Sequence, residues 1–282
     1  MREILSLPKG LDGWAWRYRF ANHVFRQHHH DELELNLVTA GSAGYLVGDR
    51  RHDLRRGTLV WLFPGQEHVL LDQSPNYQMW IAVFRQPLLR RAATSRDAGV
   101  LRAQSPAGTF CRRLDEQASA RLGGLLAELH DAAKDPQRFN AGLAYALLTA
   151  WSEFQRADEL AAGPSLHPAV ERAAALIREH DASDESLSLD EIAQHAGLSP
   201  SRLSRLFKRQ TGISLVRYQQ QIHLQRFLKL YGSGHRVNMM AAALQAGFGS
   251  YPQFHRVFKQ VIGCSPNEYR RRNGFGEPSA DG

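Results

Sequence analysis

Within the last ~90 residues the same pattern occurs twice, and this duplication restricts the fold more than any other feature of the chain. Leu203, Arg205, Phe207, Lys208, Gly212, Ser214 and Tyr218 reappear as Phe254, Arg256, Phe258, Lys259, Gly263, Ser265 and Tyr269, each displaced by 51. Ala193 and Gly197 return as Ala243 and Gly247, displaced by 50. One supersecondary unit is therefore built twice, with a single slip at a turn.

The unit reads as helix-turn-helix. In the first copy Leu189, Ile192, Ala193 and Ala196 form one apolar face of a short helix. Gly197 follows at a tight turn. Ser199 is placed to cap a second helix that has Pro200 at its first position. There Leu203, Leu206 and Phe207 face inward, leaving Ser201, Ser204, Arg205 and Lys208 on the other side. The second copy offers Ser250 and Gln253 as a capping box, and an exposed row of Pro252, His255, Arg256 and Lys259 behind Tyr251. One copy alone would also suit an ordinary helical hairpin.

Charge separates the two readings. From Gly197 to Asn273 there are 13 Lys and Arg against one acid, Glu268, so this segment carries +12. The remaining 22 basic and 27 acidic residues leave −5, and the overall +7 comes wholly from the repeat. A basic segment this dense is the footprint of phosphate binding, and double-stranded DNA is the expected partner. Leu215 to Tyr231, with Tyr218, Ile222, Leu224, Leu228 and Leu230, suits a connecting helix. At ~1.5 Å per residue it is a rod of roughly 25 Å. With its flanking turns it could set two recognition helices near the ~34 Å between successive major-groove entries.

Residues 168–272 resemble the DNA-binding domain of AraC/XylS-type transcription regulators. The resemblance rests on Leu189-Asp-Glu-Ile-Ala193, Ala196-Gly-Leu-Ser-Pro200, Leu203-Ser-Arg-Leu-Phe-Lys208, Ala246-Gly-Phe248, Phe254-His-Arg-Val-Phe-Lys259 and Gly263-Cys-Ser-Pro266 with Tyr269-Arg270. It implies base-reading positions at Ser201, Ser204 and Arg205, and at Tyr251, Pro252, His255 and Arg256. Arginine can pair bidentately with guanine, so Arg205 and Arg256 are the leading base readers. Lys208, Lys259 and Arg270 to Arg272 are assigned to phosphate. Four features depart from the family pattern. Phe227 stands where alanine is usual, His223 where arginine is usual, and Ala242 where a larger aliphatic is usual; two extra residues fall around Gly234-His-Arg236.

The front half is of another kind. Residues 15–90 hold short alternating runs cut at Gly41-Ser, Gly44, Gly48-Asp, Gly57 and Phe63-Pro-Gly65, as in an all-β barrel or sandwich. His28, His30 and Glu34 share even parity and project to one face of a continuous strand. Glu34 precedes Gly41 by seven, and Gly57-Thr-Leu-Val-Trp-Leu-Phe-Pro-Gly-Gln-Glu-His68 follows. These stretches resemble the paired motifs of the cupin barrel, and His28, His30, Glu34 and His68 fall on all four positions that bind metal in cupin enzymes. Three imidazoles and a carboxylate suit Zn, Fe, Mn or Ni. The alternative is a barrel that has lost its metal and uses the same polar cluster to hydrogen-bond an effector, as regulatory cupins that bind sugars do. Asn36, Tyr45, Trp61 and Trp80 are candidate effector contacts, with plain core packing as the alternative for the aromatic residues.

Residues 114–160 read as two helices, one striped by Leu122, Leu125, Leu126 and Leu129, the other by Leu143, Leu147, Trp151 and Phe154, with a break at Asp135-Pro136. They either cover the barrel or, as the resemblance implies, form a homodimer seam. The expected fold class is thus α+β and multidomain. A cupin-like β-barrel spans 1–112, a helical pair 113–160, a linker 161–167, an all-α DNA-binding domain with two helix-turn-helix units 168–273, and a tail 274–282.

Cys111 and Cys264 fall in different domains, so a disulfide framework is not expected and a reducing compartment fits. Met1 to Gly10 lacks the apolar core of a signal peptide, and no run approaches a membrane span. The expectation is a cytoplasmic, non-enzymatic transcription regulator, by resemblance an activator working with RNA polymerase. A small-molecule effector, a sugar for example, or a metal in the barrel would control it. A metal-dependent cupin enzyme with a tethered DNA-binding tail and a constitutive architectural DNA binder are the rivals.

Overall fold

The computed structural model describes residues 3–20, 27–108, 110–159, 165–180, 187–232 and 238–272. The chain divides into two compact units, one ending at Ser165 and the other starting at Leu166. The first contains β1 (Gly13–Arg19), β2 (Leu33–Ala40), β3 (Ser42–Val47), β4 (Arg50–Arg55), β5 (Thr58–Leu62), β6 (His68–Leu71) and β7 (Gln78–Phe84). After these come α1 (Gln86–Ala92), β8 (Cys111–Arg113), α2 (Glu116–Asp131), α3 (Pro136–Arg156) and β9 (Asp158–Glu159).

Two antiparallel sheets result, ordered β1-β7-β2-β5-β8-β9 and β4-β3-β6. The β-rich, cupin-like unit agrees with the sequence reading, but among the described residues the sheets are not closed into a barrel. Strand β6 is only four residues long, and a lone antiparallel bridge between His28 and His68 ties it to the segment before β2. Gly44, read as a turn signal, lies inside β3 beneath the Arg51 guanidinium.

Alternation sorts the buried residues of the larger sheet into two cores. Leu33, Leu35, Leu37, Leu59, Trp61, Trp80 and Phe84 pack with Leu122, Leu126, Leu143, Leu147, Trp151 and Phe154 of α2 and α3. Val38, Val60, Leu62, Met79, Ile81 and Val83 pack with Ala43, Tyr45 and Leu54 of the smaller sheet. The helical pair therefore belongs to the first unit and covers its sheet. Asp135 caps α3 by accepting from the backbone N–H of Gln137 and Arg138, with Pro136 at the first helical position. At its far end Arg112 donates to the carbonyls of Phe154, Gln155 and Ala157.

The second unit is all helix: α4 (Pro168–Glu179), α5 (Leu189–Ala196), α6 (Pro200–Thr211), α7 (Leu215–Gly232), α8 (Met239–Gln245), α9 (Tyr251–Ile262) and α10 (Pro266–Arg272). The repeat is structural in detail. Helices α6 and α9 each have 12 residues and end in a left-handed glycine, Gly212 (φ 82°) and Gly263 (φ 83°), whose N–H bonds back to Lys208 and Lys259. Ser214 and Ser265 then cap the following helices. Phe207 meets Tyr218 at 5.3 Å between centroids, and Phe258 meets Tyr269 at 5.4 Å.

Some local expectations need correction. Leu189 is 37% exposed, because the full capping box of Ser188 and Glu191 starts α5 with its first turn in solvent. Ser199 sits at the start of α6 but accepts no side-chain capping bond. Ser250 does cap α9, whereas Gln253 accepts from Gly249 instead of closing the box on Ser250. Leu206 is only half-buried. Residues 161–164 of the expected linker 161–167, the extra residues around Gly234-His-Arg236 and the tail 274–282 lie outside the described residues, whereas Ser165 bridges Arg50 and His167 caps α4.

Three of the four departures from the family pattern meet around one core. Phe227 is 1% exposed and packs its ring tilted 4.4 Å from Phe254 and edge-on 5.8 Å from Phe258, in the same cluster as Ala242. A large ring on α7 and a small side chain on α8 thus exchange volume. His223 is buried beside Phe248, and a Cβ on Gly247 (φ +96°) would meet its Nε2 at 2.9 Å. Burial, reinforced by Arg226 and His180, pushes the His223 imidazole down to about 4.

Two outcomes are expected. Phe227→Ala should cost ~3–5 kcal/mol in denaturant melts, and adding Ala242→Leu should recover part of it, a coupling that a double-mutant cycle measures. His223 binds its proton more weakly folded than unfolded (unfolded ~6.5), so its stabilisation is complete above that pH and is lost as pH falls toward 4. The loss is on the order of 3 kcal/mol, and melts of wild type and His223→Gln across that window should differ in pH slope accordingly.

Candidate functional site

Each recognition face is the polar side of a helix whose other side is core. On α6, Leu203 and Phe207 are buried while Ser201, Arg205 and Lys208 are exposed and Ser204 is half-buried. On α9, Phe254, Val257 and Phe258 are buried, Pro252, Arg256 and Lys259 are exposed, and Tyr251 and His255 are half-buried. Arg205 Nε donates to the Ser201 carbonyl at 3.3 Å, which holds its guanidinium along the helix. Among the described residues, Lys208, Arg256 and Lys259 have no side-chain partner, so their charges remain for an anion. Arg226 lies elsewhere. Its guanidinium donates to the carbonyls of Ile177, Arg178 and His180 at 2.6–3.1 Å and closes the end of α4.

The second constellation lies between the sheets of the first unit. His28, His30 and His68 bring ring nitrogens within 4.8 Å of one another. Backbone bonds fix the frame. His28 and His68 exchange N–H to carbonyl bonds at 3.1 and 2.9 Å, and Gly65 donates to the His30 carbonyl. His68 Nδ1 lies 2.9 Å from the Gln66 carbonyl, which can only accept, so Nε2 turns inward and meets His28 Nε2 at 3.1 Å. Glu3 places a second carboxylate 3.2 Å from His28 Nε2. His30 Nδ1 lies 3.1 Å from the Glu32 carbonyl and Nε2 2.9 Å from Glu34 Oε2.

Both neighbours of His30 are acceptors, which favours its imidazolium. Burial alone would depress its pKa, but the hydrogen bond and charge of Glu34, with Glu32, raise it. For Glu34 burial works upward, and the bond to His30, the charges of His68 and His30, and the bond from Asn36 bring the net shift below the usual range. His68 is pushed down to about 4, by burial against the pull of Glu34 and with the repulsion of His28 and His30. An ionised carboxylate thus sits in an apolar interior, held by imidazole and amide.

The four effector candidates divide. Asn36 and Tyr45 belong to the constellation: Asn36 Nδ2 donates to Glu34 Oε1 at 2.8 Å and approaches Tyr45 Oη at 3.1 Å. Burial, with the Glu34 charge, raises the Tyr45 phenol well above its ordinary pKa. Trp61 and Trp80 lie on the opposite face of their sheet, in the core beneath α2 and α3. Trp61 also lines a separate cavity of about 430 Å³ with Arg50, His52, Gln66 and Phe110, where Trp61 Nε1 and His52 Nδ1 lack hydrogen-bond partners among the described residues. Glu3 and this cavity were not visible in the sequence motifs, since neither carries a spacing signal.

A buried polar cluster in one unit and twin basic helix-turn-helix faces in the other are the parts of a ligand-controlled, DNA-binding regulator. The family model of the helix-turn-helix domain matches residues 192–272, and that of the AraC-like ligand binding domain matches residues 14–152. The arabinose operon regulatory protein of Escherichia coli strain K12 is 33% identical over 240 residues, 84% of this chain and 79% of that protein. Its counterpart in Salmonella typhimurium strain LT2 is 32% identical over 243 residues, covering 84% and 82%. The HTH-type transcriptional activator RhaS of Salmonella schwarzengrund is 23% identical over 276 residues, 96% of each chain. The chain belongs to the AraC family of ligand-controlled, DNA-binding transcription regulators. No helix of the described residues is long and apolar enough to cross a membrane.

Proposed function

We propose that the chain is a cytoplasmic, non-catalytic transcription activator that reads DNA with α6 and α9 and acts with RNA polymerase. The matched faces of these two helices, each with an exposed arginine and lysine at equivalent places above a buried aromatic core, carry this reading. Arg205 and Arg256, with Ser201, Ser204, Tyr251, Pro252 and His255, meet base edges, while Lys208 and Lys259 meet phosphate. Relatives described as transcriptional activators and as an arabinose operon regulator support activation and a small hydroxylated effector such as a sugar.

The effector is assigned to the interior constellation around Glu34, Asn36 and Tyr45. Its affinity must differ between the DNA-competent and incompetent arrangements of a homodimer for binding to control transcription. The dimer seam is assigned to α3, whose outer face leaves Tyr145 53% and Leu148 40% exposed. Sensing, not turnover, is the role of the imidazoles in this reading; release of a product from small oxygenated substrates would favour the enzyme instead.

Arg205→Ala should weaken specific binding by ~1–3 kcal/mol and relax the preference at one base pair in a selection experiment; an unchanged motif overturns the assignment. Lys208→Ala should weaken all sequences alike and lower the salt slope by about one. Leu148→Asp should shift sedimentation toward monomer while leaving the thermal melt in place.

A further inference from the structure

We propose that the cavity bounded by β4, β5 and β8 is a second small-molecule site, one that takes an organic monocarboxylate with a flat or short apolar body. The inference goes beyond the effector assignment above and does not depend on it, since none of the residues lining this cavity belongs to the Glu34 constellation. Three observations carry it. The first is unmet hydrogen bonding. Trp61 and His52 are both nine-tenths or more buried, yet Trp61 Nε1 and His52 Nδ1 have no partner among the described residues. An indole N–H can only donate, so it calls for an acceptor that the neighbouring side chains do not supply. A buried donor left this way is costly, and a ligand oxygen placed against it relieves that cost.

The second is the chemistry of the lining. Arg50 brings a guanidinium to the cavity. Burial, and then the Arg50 charge against the pull of Asp53, hold the His52 imidazole below its usual pKa, which keeps it neutral. Gln66 Oε1 accepts from the Phe63 N–H at 3.1 Å, so the amide NH2 is its remaining polar group. Donors therefore dominate. The exposed Asp49 is the one carboxylate of the lining, and it opposes a second negative charge on a ligand. Val60, Phe110 and Cys111 make apolar wall, and the Trp61 N–H holds the Phe110 carbonyl at 2.9 Å, which anchors the two aromatic residues to each other. N–H donors and a guanidinium among apolar walls favour a carboxylate, whose oxygens only accept, over a neutral hydroxyl.

The third is placement. Arg50 and His52 belong to β4 of the smaller sheet, whereas Trp61 lies on β5 and Cys111 opens β8 of the larger one. The chain leaving the first unit is pinned on both sides of the cavity. β9 pairs with β8 at Arg112 and Arg113, and Ser165, the last residue of that unit, bridges Arg50. A carboxylate held between Arg50 and Trp61 joins the two sheets at the strands to which this exit segment is attached.

The test uses the full-length chain, with benzoate and hexanoate as probes and benzamide and 1-hexanol as their neutral counterparts. At least one carboxylate should bind with a Kd of about 1 mM or tighter by calorimetry, and its neutral counterpart roughly tenfold more weakly. Trp61→Phe, which keeps a ring in the wall and removes the N–H, and Arg50→Gln should each weaken the carboxylate roughly tenfold. In NMR spectra of the wild type, the indole N–H signal that Trp61→Phe removes should be the one that moves on titration. Amide exchange in peptides covering residues 158–165 should slow on binding, and unchanged exchange there overturns the link to the exit segment. If Trp61→Phe does not fold, Arg50→Gln at its exposed position supplies the affinity readout. The site is overturned if neither carboxylate binds by ~10 mM, if acid and neutral counterpart bind alike, or if Arg50→Gln keeps wild-type affinity. Binding that survives Arg50→Gln but is lost in Glu34→Gln moves the probe to the constellation, which refutes this site and leaves the effector assignment standing.

Discussion

The double burial of β2 organises the first unit. Six of its eight residues are buried, because α2 and α3 cover one face and the smaller sheet covers the other. Leu33, Leu35 and Leu37 satisfy the helical side without further condition. Glu34 and Asn36 face the other way, and a carboxylate taken out of water is costly unless charge and hydrogen bonds surround it. His30, His68, Asn36 and Tyr45 are the response to that requirement. The polar constellation is thus a consequence of where β2 lies, and it follows from the electrostatics of one buried acid.

The second unit depends on packing and on helix ends more than on charge. Its basic surplus is not all directed at a partner, since Arg226 is bound to the last carbonyls of α4. The one acid of the basic segment, Glu268, is likewise built in: it accepts from Ser265 N–H and Oγ–H and closes the capping box of α10. Arg172 on the Ala196 carbonyl and Arg112 on the end of α3 repeat the device. Part of the basic surplus read from composition therefore holds helix ends in place in addition to contributing charge.

Sequence reasoning reached the second unit because a repeat is visible twice: the offset that aligned Gly212 with Gly263 also aligned the Phe–Tyr ring pairs that the fold uses. Parity grouped His28, His30 and Glu34 as if on one continuous strand, but β2 begins only at Leu33; the segment before it bends at Asp31 and Glu32, and His28 is held by its bridge to His68. The same logic failed to orient Trp61 and Trp80. Strands β5 and β7 are apolar on both faces, so their sequences carry no contrast from which to tell the inner face from the outer. Sheet closure depends on pairing between distant strands, and no local spacing encodes that, among the described residues, β6 and the His28 segment are linked by an isolated bridge. The capping errors at Ser199 and Gln253 have a local cause. Several polar groups compete for a few N–H donors at a helix start, and small differences in backbone angle decide among them.

The twin heads share an inner frame and differ outside. Their glycine stops, serine caps and ring pairs coincide, whereas Ser201 and Ser204 on one helix answer to Tyr251, Pro252 and His255 on the other. A protein with like frames and unlike faces is a polar ruler. Reversing such a chain would exchange Ser201 and Ser204 for Pro252 and His255 while Arg205 and Lys208 find their like in Arg256 and Lys259. The asymmetry between the two faces therefore lies within one polypeptide and needs no second copy.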